Sequence, residues 1–188
     1  MTGSDGIFIV CITGMSGAGK TTATRALSSM GFTVVSMGDV IRKEAQRRGL
    51  GLDKEGQRQT MLLVRKEGGP AAVARLCIDE IESRGLKKVV IDGARSLDEV
   101  EAFRGIAEVK VLGIHASPER RRYLLTSRGR NDDPHSESDF ESRDRRELDL
   151  GLGSVIALSD RMVENEGISI EVLDDKVRKV VSEWLGKA

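Results

Sequence analysis

The sequence predicts an α/β fold in which a parallel sheet is covered by helices on both faces, and three observations lead there. Apolar runs of strand length alternate with helical stretches along the chain. The first run ends in a glycine-rich loop that opens directly into a helix, the start of a βαβ unit. No internal repeat or low-complexity linker interrupts the 188 residues, which suit a single domain over 1–188.

Taken in order, Ile7-Phe8-Ile9-Val10-Cys11-Ile12 reads as a buried parallel strand and Thr21 to Met30 as a helix, with Gly31 as its left-handed cap. Phe32 to Ser36 is the second strand and completes the unit. Met37-Gly38-Asp39-Val40-Ile41-Arg42 opens a helix reaching about Arg48, with Asp39 close to its cap. Asp53 caps another through Lys66, and Gly68-Gly69-Pro70 breaks it. Pro70 starts a third helix whose apolar face is Val73, Leu76, Cys77 and Ile81, closed by Gly85. Residues 38–86 thus form a helical excursion far longer than the roughly dozen residues a crossover needs, and such an excursion reads as a second binding wall.

Lys88 to Asp92 is a third strand that ends in a carboxylate, and Gly93-Ala94-Arg95-Ser96 turns into a helix from Leu97 to Ile106. Val109 to Ile114 is the fourth strand. Ser117-Pro118-Glu119 carries the cap and first-turn proline of the next helix. From Arg120 to Glu147 the chain is densely charged, which predicts a helix, a turn at Arg128-Gly129-Arg130-Asn131-Asp132-Asp133-Pro134, and a second helix. Segment 118–150 therefore reads as a lid that is loose without ligand, because its turn has little apolar content to hold it. A short helical piece at Ser154 to Ser159, a fifth strand at Asp160 to Glu164 and a terminal helix packing Val172, Val177, Val180 and Val181 complete the chain.

Composition excludes some functions. Lys+Arg and Asp+Glu balance at 30 each, so no global field draws the protein to nucleic acid or an anionic membrane. With only 3% aromatic residues it also lacks a stacking platform for single strands. The charged fraction of 32% exceeds the usual quarter and fits a soluble surface laced with ion pairs. Cys11 and Cys77 fall at apolar positions and read as small core residues in a reducing compartment. No apolar run approaches the 18 residues of a membrane span and no basic leader precedes one, so a cytoplasmic location is expected. His115 and His135 have no second ligand at metal spacing and read as satisfying local polar needs.

The chemistry starts at Gly14-Met15-Ser16-Gly17-Ala18-Gly19-Lys20-Thr21, which fits the Walker A phosphate-binding pattern G-x-x-x-x-G-K-[ST] between a strand and a helix. Its glycines let the backbone wrap with N–H groups pointing inward, and the helix N-terminus adds partial positive charge. The cradle, with Thr22 adjoining it, should take ATP. Lys20 would meet the β- and γ-phosphates and the Thr21 hydroxyl would ligate Mg²⁺.

Three further segments resemble the nucleoside monophosphate kinase branch of P-loop proteins, which includes adenylate kinase and dephospho-CoA kinase. Met37 to Arg42 resembles the family segment Thr-Gly-Asp-Met-Leu-Arg, whose arginine holds the acceptor phosphate. Asp92-Gly93-Ala94-Arg95-Ser96 resembles Asp-Gly-Phe-Pro-Arg-Thr, in which the aspartate orients hydrated Mg²⁺ and the arginine grips the acceptor. Arg128, Arg130 and Arg143, with Asp132-Asp133 between them, resemble the arginines of a short lid. The ending Asp160 to Gly167, Asp-x-x-x-x-Asn-x-Gly, is similar to that of dephospho-CoA kinase, and the whole chain is similar to an archaeal group of adenylate-kinase-related proteins with short lids.

The resemblance implies a three-layer fold with a five-stranded parallel sheet in the order 2-3-1-4-5. It implies transfer of the ATP γ-phosphoryl to a nucleoside monophosphate or similar small phosphorylated acceptor. Lys20, Arg42, Asp92, Arg95, Arg128, Arg130 and Arg143 then serve catalysis, Thr21 and Asp92 the metal, and Gly38, Asp39, Arg42, Arg95 and Glu99 the acceptor. Arg120, Arg121, Arg122, Arg145 and Arg146 read instead as a solvated helical face. This chain departs from the family where Glu99 replaces the glutamine that reads the acceptor adenine, since a carboxylate accepts from an amino group but cannot donate to a ring nitrogen. Met37 replaces the family threonine, and Ala94 alone stands for Phe-Pro. Two alternatives stay open: a dephospho-CoA kinase-like enzyme using Asp39 as base toward a hydroxyl, and a nucleotide-binding switch with slow ATPase activity that docks a partner on 38–86.

Overall fold

The computed structural model describes residues 6–129, 133–134 and 136–186. Its elements run β1 (Phe8–Thr13), α1 (Lys20–Ser29), β2 (Thr33–Ser36), α2 (Met37–Arg47), α3 (Lys54–Gly68), α4 (Ala72–Ser83), β3 (Lys88–Asp92) and α5 (Leu97–Arg104). Then come β4 (Glu108–His115), α6 (Pro118–Arg128), α7 (Glu137–Asp149), α8 (Leu152–Ala157), β5 (Arg161–Glu164) and α9 (Ile170–Leu185). The strands form one parallel sheet in the order β2-β3-β1-β4-β5, the order the family resemblance implies.

The strands' period of two divides the core into two layers. Ile9 and Cys11 of β1, with Val89, Ile91, Val109 and Val111, face the layer that holds α2, α4 and α5, where Cys77 also sits. Phe8, Val10 and Ile12, with Val90, Leu112 and Ile114, face α1 and α9. β1 is buried along its whole length, as a central parallel strand must be. Both cysteines are buried free thiols, and burial pushes the Cys77 thiol up to about 12, so neither offers a thiolate.

Side-chain caps start the helices where the sequence offers them. Asp53 accepts from the Gly56 N–H and Ser117 from the Arg120 N–H, and Ser36, rather than Asp39, caps α2 by accepting from the Asp39 N–H. Two expectations shift. α4 begins at Ala72, after Pro70, because the chain first turns at Gly69 with φ 77°. On α9 it is Leu173, 2% exposed, that joins Val177, Val180 and Val181, while Val172 is 43% exposed on the first turn.

The register gathers the site. Asp92 lies level with Ile12 on one side and Ser36 on the other, so the C-terminal ends of β1, β2 and β3 open onto one edge of the sheet. β3 lies between β2 and β1, so the first βαβ crossover skips a strand, and this edge is where doubly wound sheets bind their ligands. No described helix is long and apolar enough to cross a membrane.

Candidate active site

The loop after β1 turns into α1 through glycines that no other residue could replace. Gly14 has φ 140°, and a Cβ there would stand 2.2 Å from the Ile114 carbonyl oxygen of β4. Gly19, at φ 109°, is the N-cap of α1, where a Cβ would stand 2.7 Å from Asn165 Nδ2. α1 starts at Lys20, so the N–H groups of Lys20 and Thr21 have no intrahelical acceptor and lie at the positive end of the helix dipole. The Thr22 N–H turns back to the Gly19 carbonyl at 3.0 Å, which leaves Thr22 to line the cleft with its side chain.

Lys20 folds over the loop and donates to the Gly14 and Met15 carbonyls at 2.6 and 3.0 Å. Burial pulls its ammonium from 10.5 down to about 8, against the opposing pull of Glu147 and Asp92. The ammonium is thereby held at the phosphate loop, beside the start of α1. Thr21 and Asp92 line the same cleft, of about 520 Å³, with Arg95, Arg128 and Arg143. One hydroxyl and one carboxylate suit Mg²⁺, which keeps most of its shell for water and phosphate. The predicted loop residues, Asp92, Arg95, Arg128 and Arg143 are thus brought together, while Arg130 lies outside the described residues.

A second groove, of about 510 Å³, adjoins the first, and Gly38, Arg95, Arg143 and Glu147 line both. Its walls carry Lys54, Arg58, Arg65 and Arg146 beside the apolar Met37, Ile41, Met61, Val73 and Leu150. Residues from Gly38 to Val73 of the helical excursion thus line this groove.

Three predicted roles do not match the geometry. Arg42 pairs with Asp39 one turn away, both more than half exposed, and the pair lines a separate hollow with Val34, Lys43 and Glu80. The i,i+3 spacing lets them satisfy each other on the outer face of α2. Glu99 is fully buried, and both its oxygens are occupied: Oε1 accepts from Arg65 Nη2 and Oε2 from the Arg95 N–H, each at 2.8 Å. It therefore positions the two arginines that flank the groove and, at 0% exposure, presents no open oxygen with which to read a base.

Arg121 corrects the third. Predicted to be solvated, it is 3% exposed, grips both oxygens of Asp144 at 2.8 and 2.6 Å, and lies over the Phe140 ring. The same guanidinium donates to the Ser16 carbonyl at 3.2 Å. With Leu125 and Phe140 also buried, the base of the α6–α7 arm is latched onto the phosphate loop instead of hanging loosely over it. Arg128 joins this frame by donating through Nε to Asp133 at 3.0 and 2.9 Å.

Two positions that sequence reasoning did not place in the site belong to it. Glu147 Oε2 accepts from the Ser16 N–H at 3.0 Å, and Asn165, 5% exposed, donates to the Ala18 carbonyl at 2.9 Å from the loop after β5. Asn165 lay within the Asp160 to Gly167 segment already noted for its resemblance. In that segment Asp160 closes the sheet by accepting from the Val111 N–H at 2.6 Å. Glu147 gave one signal only: it stands one turn past Arg143 on the same helix.

A family model described as an AAA domain matches residues 13–141. UPF0200 protein TK1334 of Thermococcus kodakarensis is 42% identical over 184 residues, 95% of this chain and 99% of that one. The chain belongs to the UPF0200 family and carries this AAA domain. Another member, from Staphylothermus marinus, is 47% identical over 88% of this chain and 86% of its own. Among solved structures, TT1252 from Thermus thermophilus is similar at a TM-score of 0.65 and 20% identity, covering 94% of this UPF0200 chain and 97% of its own. Shikimate kinase from Acinetobacter baumannii, in complex with shikimate, is similar at 0.58 and 15%, covering 98% and 96%. These likenesses show a P-loop kinase fold for this UPF0200 protein, in agreement with its strand order.

Proposed function

We propose that the protein is a Mg²⁺-dependent phosphotransferase that moves the γ-phosphoryl of ATP to a nucleoside monophosphate or a similarly sized phosphorylated acceptor. The observation that carries this reading is the junction of the two hollows: Arg95 and Arg143 line both, with Lys20 on the donor side and Lys54, Arg58 and Arg146 on the acceptor side. Transfer between two anions needs charge neutralisation and in-line positioning, and convergent cations supply both. The second groove's volume lies within the usual range for a small-molecule site, and its apolar wall suits a base or another flat group.

In this reading the loop N–H groups and Lys20 bind the triphosphate, and Thr21 with Asp92 would hold Mg²⁺. The metal supplies charge neutralisation at the phosphates when bound. Arg95, Arg128 and Arg143 steady the transferred group and the acceptor. Arg65, held by Glu99, sets the floor of the acceptor groove. The paired Asp39 and Arg42 have no part in it, and with Asp39 outside the cleft the hydroxyl-acceptor alternative loses the base the sequence offered.

The partner-docking alternative draws on Leu52, Leu62 and Leu63, exposed on the excursion at 49, 52 and 39%. Three partly exposed leucines are ordinary for a protein surface. The testing experiment is ADP release measured with ATP and Mg²⁺ across nucleoside monophosphates and dephospho-CoA. Turnover that rises above hydrolysis with one acceptor supports the reading, and equal hydrolysis with every acceptor rejects it.

A further inference from the structure

The carboxylates around the junction can be assigned one by one. Asp92 lies on the donor side with Thr21, Glu99 is buried with both oxygens bonded, and Asp39 is outside the cleft on Arg42. Among the described residues, Glu147 alone of these lines both hollows. Its Oε2 rests on the Ser16 N–H at 3.0 Å, so it sits at the loop's anion cradle and faces the acceptor groove from one helix position. The position is also fixed: one turn earlier on α7, Asp144 is locked to Arg121, which holds the carbonyl of the same Ser16.

A carboxylate here is hostile to a phosphate as the attacking group. It adds a third anion where two already repel, and the surrounding arginines would have to offset all three. It suits a hydroxyl, which cannot attack phosphorus at neutral pH without losing its proton. We infer that Glu147 is the general base of the transfer, and that the atom it serves is a hydroxyl oxygen of an acceptor whose phosphate is bound farther along the groove.

The inference rests on the phosphotransferase reading and narrows its acceptor to a hydroxyl of a phosphorylated molecule, in place of transfer onto a phosphate. The triphosphate takes over the Ser16 N–H and releases the carboxylate toward the groove. The acceptor hydroxyl gives its proton to a Glu147 oxygen as the new bond from acceptor oxygen to γ-phosphorus forms. The bond from γ-phosphorus to the bridging oxygen breaks, and ADP leaves with that electron pair. Lys54, Arg58 and Arg146 hold the acceptor's own phosphate, which binds and does not react.

The test compares wild type with Glu147→Gln and Glu147→Asp. The glutamine keeps an oxygen for the Ser16 N–H but cannot take a proton at neutral pH, so the loop contact survives and the base is lost. Single-turnover ADP formation is measured with water alone, with ribose 5-phosphate, with glycerol 3-phosphate and with AMP, alongside ATP affinity by titration and thermal unfolding of each variant. The expected result is a loss of about 100-fold or more with Glu147→Gln on every hydroxyl acceptor, water included, with ATP affinity undiminished and partial recovery in Glu147→Asp.

Unchanged rates in Glu147→Gln overturn the inference, as does transfer to the AMP phosphate that survives the substitution. Loss that tracks weakened ATP binding or lowered unfolding temperature in both variants overturns it too, since it marks a loop prop. Failure of the phosphotransferase reading looks different: no acceptor exceeds water in the wild type. Even then Glu147→Gln must depress hydrolysis if the carboxylate is the base.

Discussion

The two hollows of the cleft, which the proposed function takes as donor and acceptor sides, are built in opposite ways. The phosphate cradle is one continuous stretch, Gly14 to Thr21, whose shape follows from its own glycines and from the start of α1. The acceptor groove draws on α2, α3, α4, α5 and α7, and its key contacts join Arg65 to Glu99 across 34 residues and Ser16 to Glu147 across 131. A local motif can fix how ATP is held. What receives the phosphoryl is decided by side chains that meet only after folding, so one P-loop core can serve many acceptors.

The largest effect should come from the latch that joins the two sides. Arg121→Met leaves the half-buried Asp144, 18% exposed, without its partner, and frees the Ser16 carbonyl as well. Breaking one partner of a buried pair costs about 3–5 kcal/mol, and the partial exposure of Asp144 lowers this to about 2–4 kcal/mol, measurable by urea unfolding. Adding Asp144→Leu should restore part of the loss, because two apolar residues no longer strand a charge. A loss under about 1 kcal/mol in the single variant would show that the arm and the cradle are independent.

Lys20→Ala tests the local side. The lysine sits on a polar loop and bonds only carbonyls there, so the fold should survive while transfer falls by about 100-fold or more, roughly 3 kcal/mol on the barrier. Near-normal turnover would break the cradle half of the comparison. Burial already pulls this ammonium down to about 8, so removing it should not lower the unfolding temperature at neutral pH.

These two residues also mark what could be read in advance. The cradle was legible because eight consecutive residues, a strand before them and a helix after them all agree. So were the caps at Asp53 and Ser117, where residue type and local spacing decide the outcome. Arg121 was not. On α6 it stands between Arg120 and Arg122 in a charged run, and only the return of α7, 23 residues on, makes it a buried clamp. Glu147 and Glu99 were hidden for the same reason: a carboxylate's role depends on whose N–H it meets, and no periodicity encodes that.

A smaller, pH-dependent effect belongs to the acceptor wall. Glu44 of α2 accepts from Arg47 and Arg48, and Arg48 also grips Glu67 of α3, so one carboxylate helps tie the two helices. The Arg47 hydrogen bond, aided by Arg48, holds Glu44 at about 2, below its ordinary 4.5. A depressed carboxylate adds stability that is fully present above about 4.5 and is lost as pH falls toward about 2. Glu44→Gln should cost about 1–2 kcal/mol at neutral pH, and the gap to wild type in urea unfolding should close over that acidic window. A gap that persists unchanged at pH 2 would mean the arginines contribute by packing rather than by charge.

The smallest expected effect is the sharpest test of where the acceptor side ends. Arg42 falls where the resemblance to nucleoside monophosphate kinases implies an acceptor-phosphate arginine, yet its side chain is 51% exposed and paired with Asp39, itself 58% exposed, in a hollow apart from the cleft. An exposed i,i+3 pair contributes about 0.5 kcal/mol or less. Arg42→Ala should therefore leave both stability and acceptor use nearly unchanged, whereas Arg95→Ala, at the junction of the two hollows, should weaken acceptor use about tenfold, close to 1.4 kcal/mol. The two variants are compared by acceptor titration at saturating ATP. Equal losses would mean that ligand binding swings Arg42 off Asp39 and into the groove, moving the acceptor wall one turn along α2. A loss at Arg95 alone assigns the acceptor phosphate to Arg95 and the cations of α3 and α7.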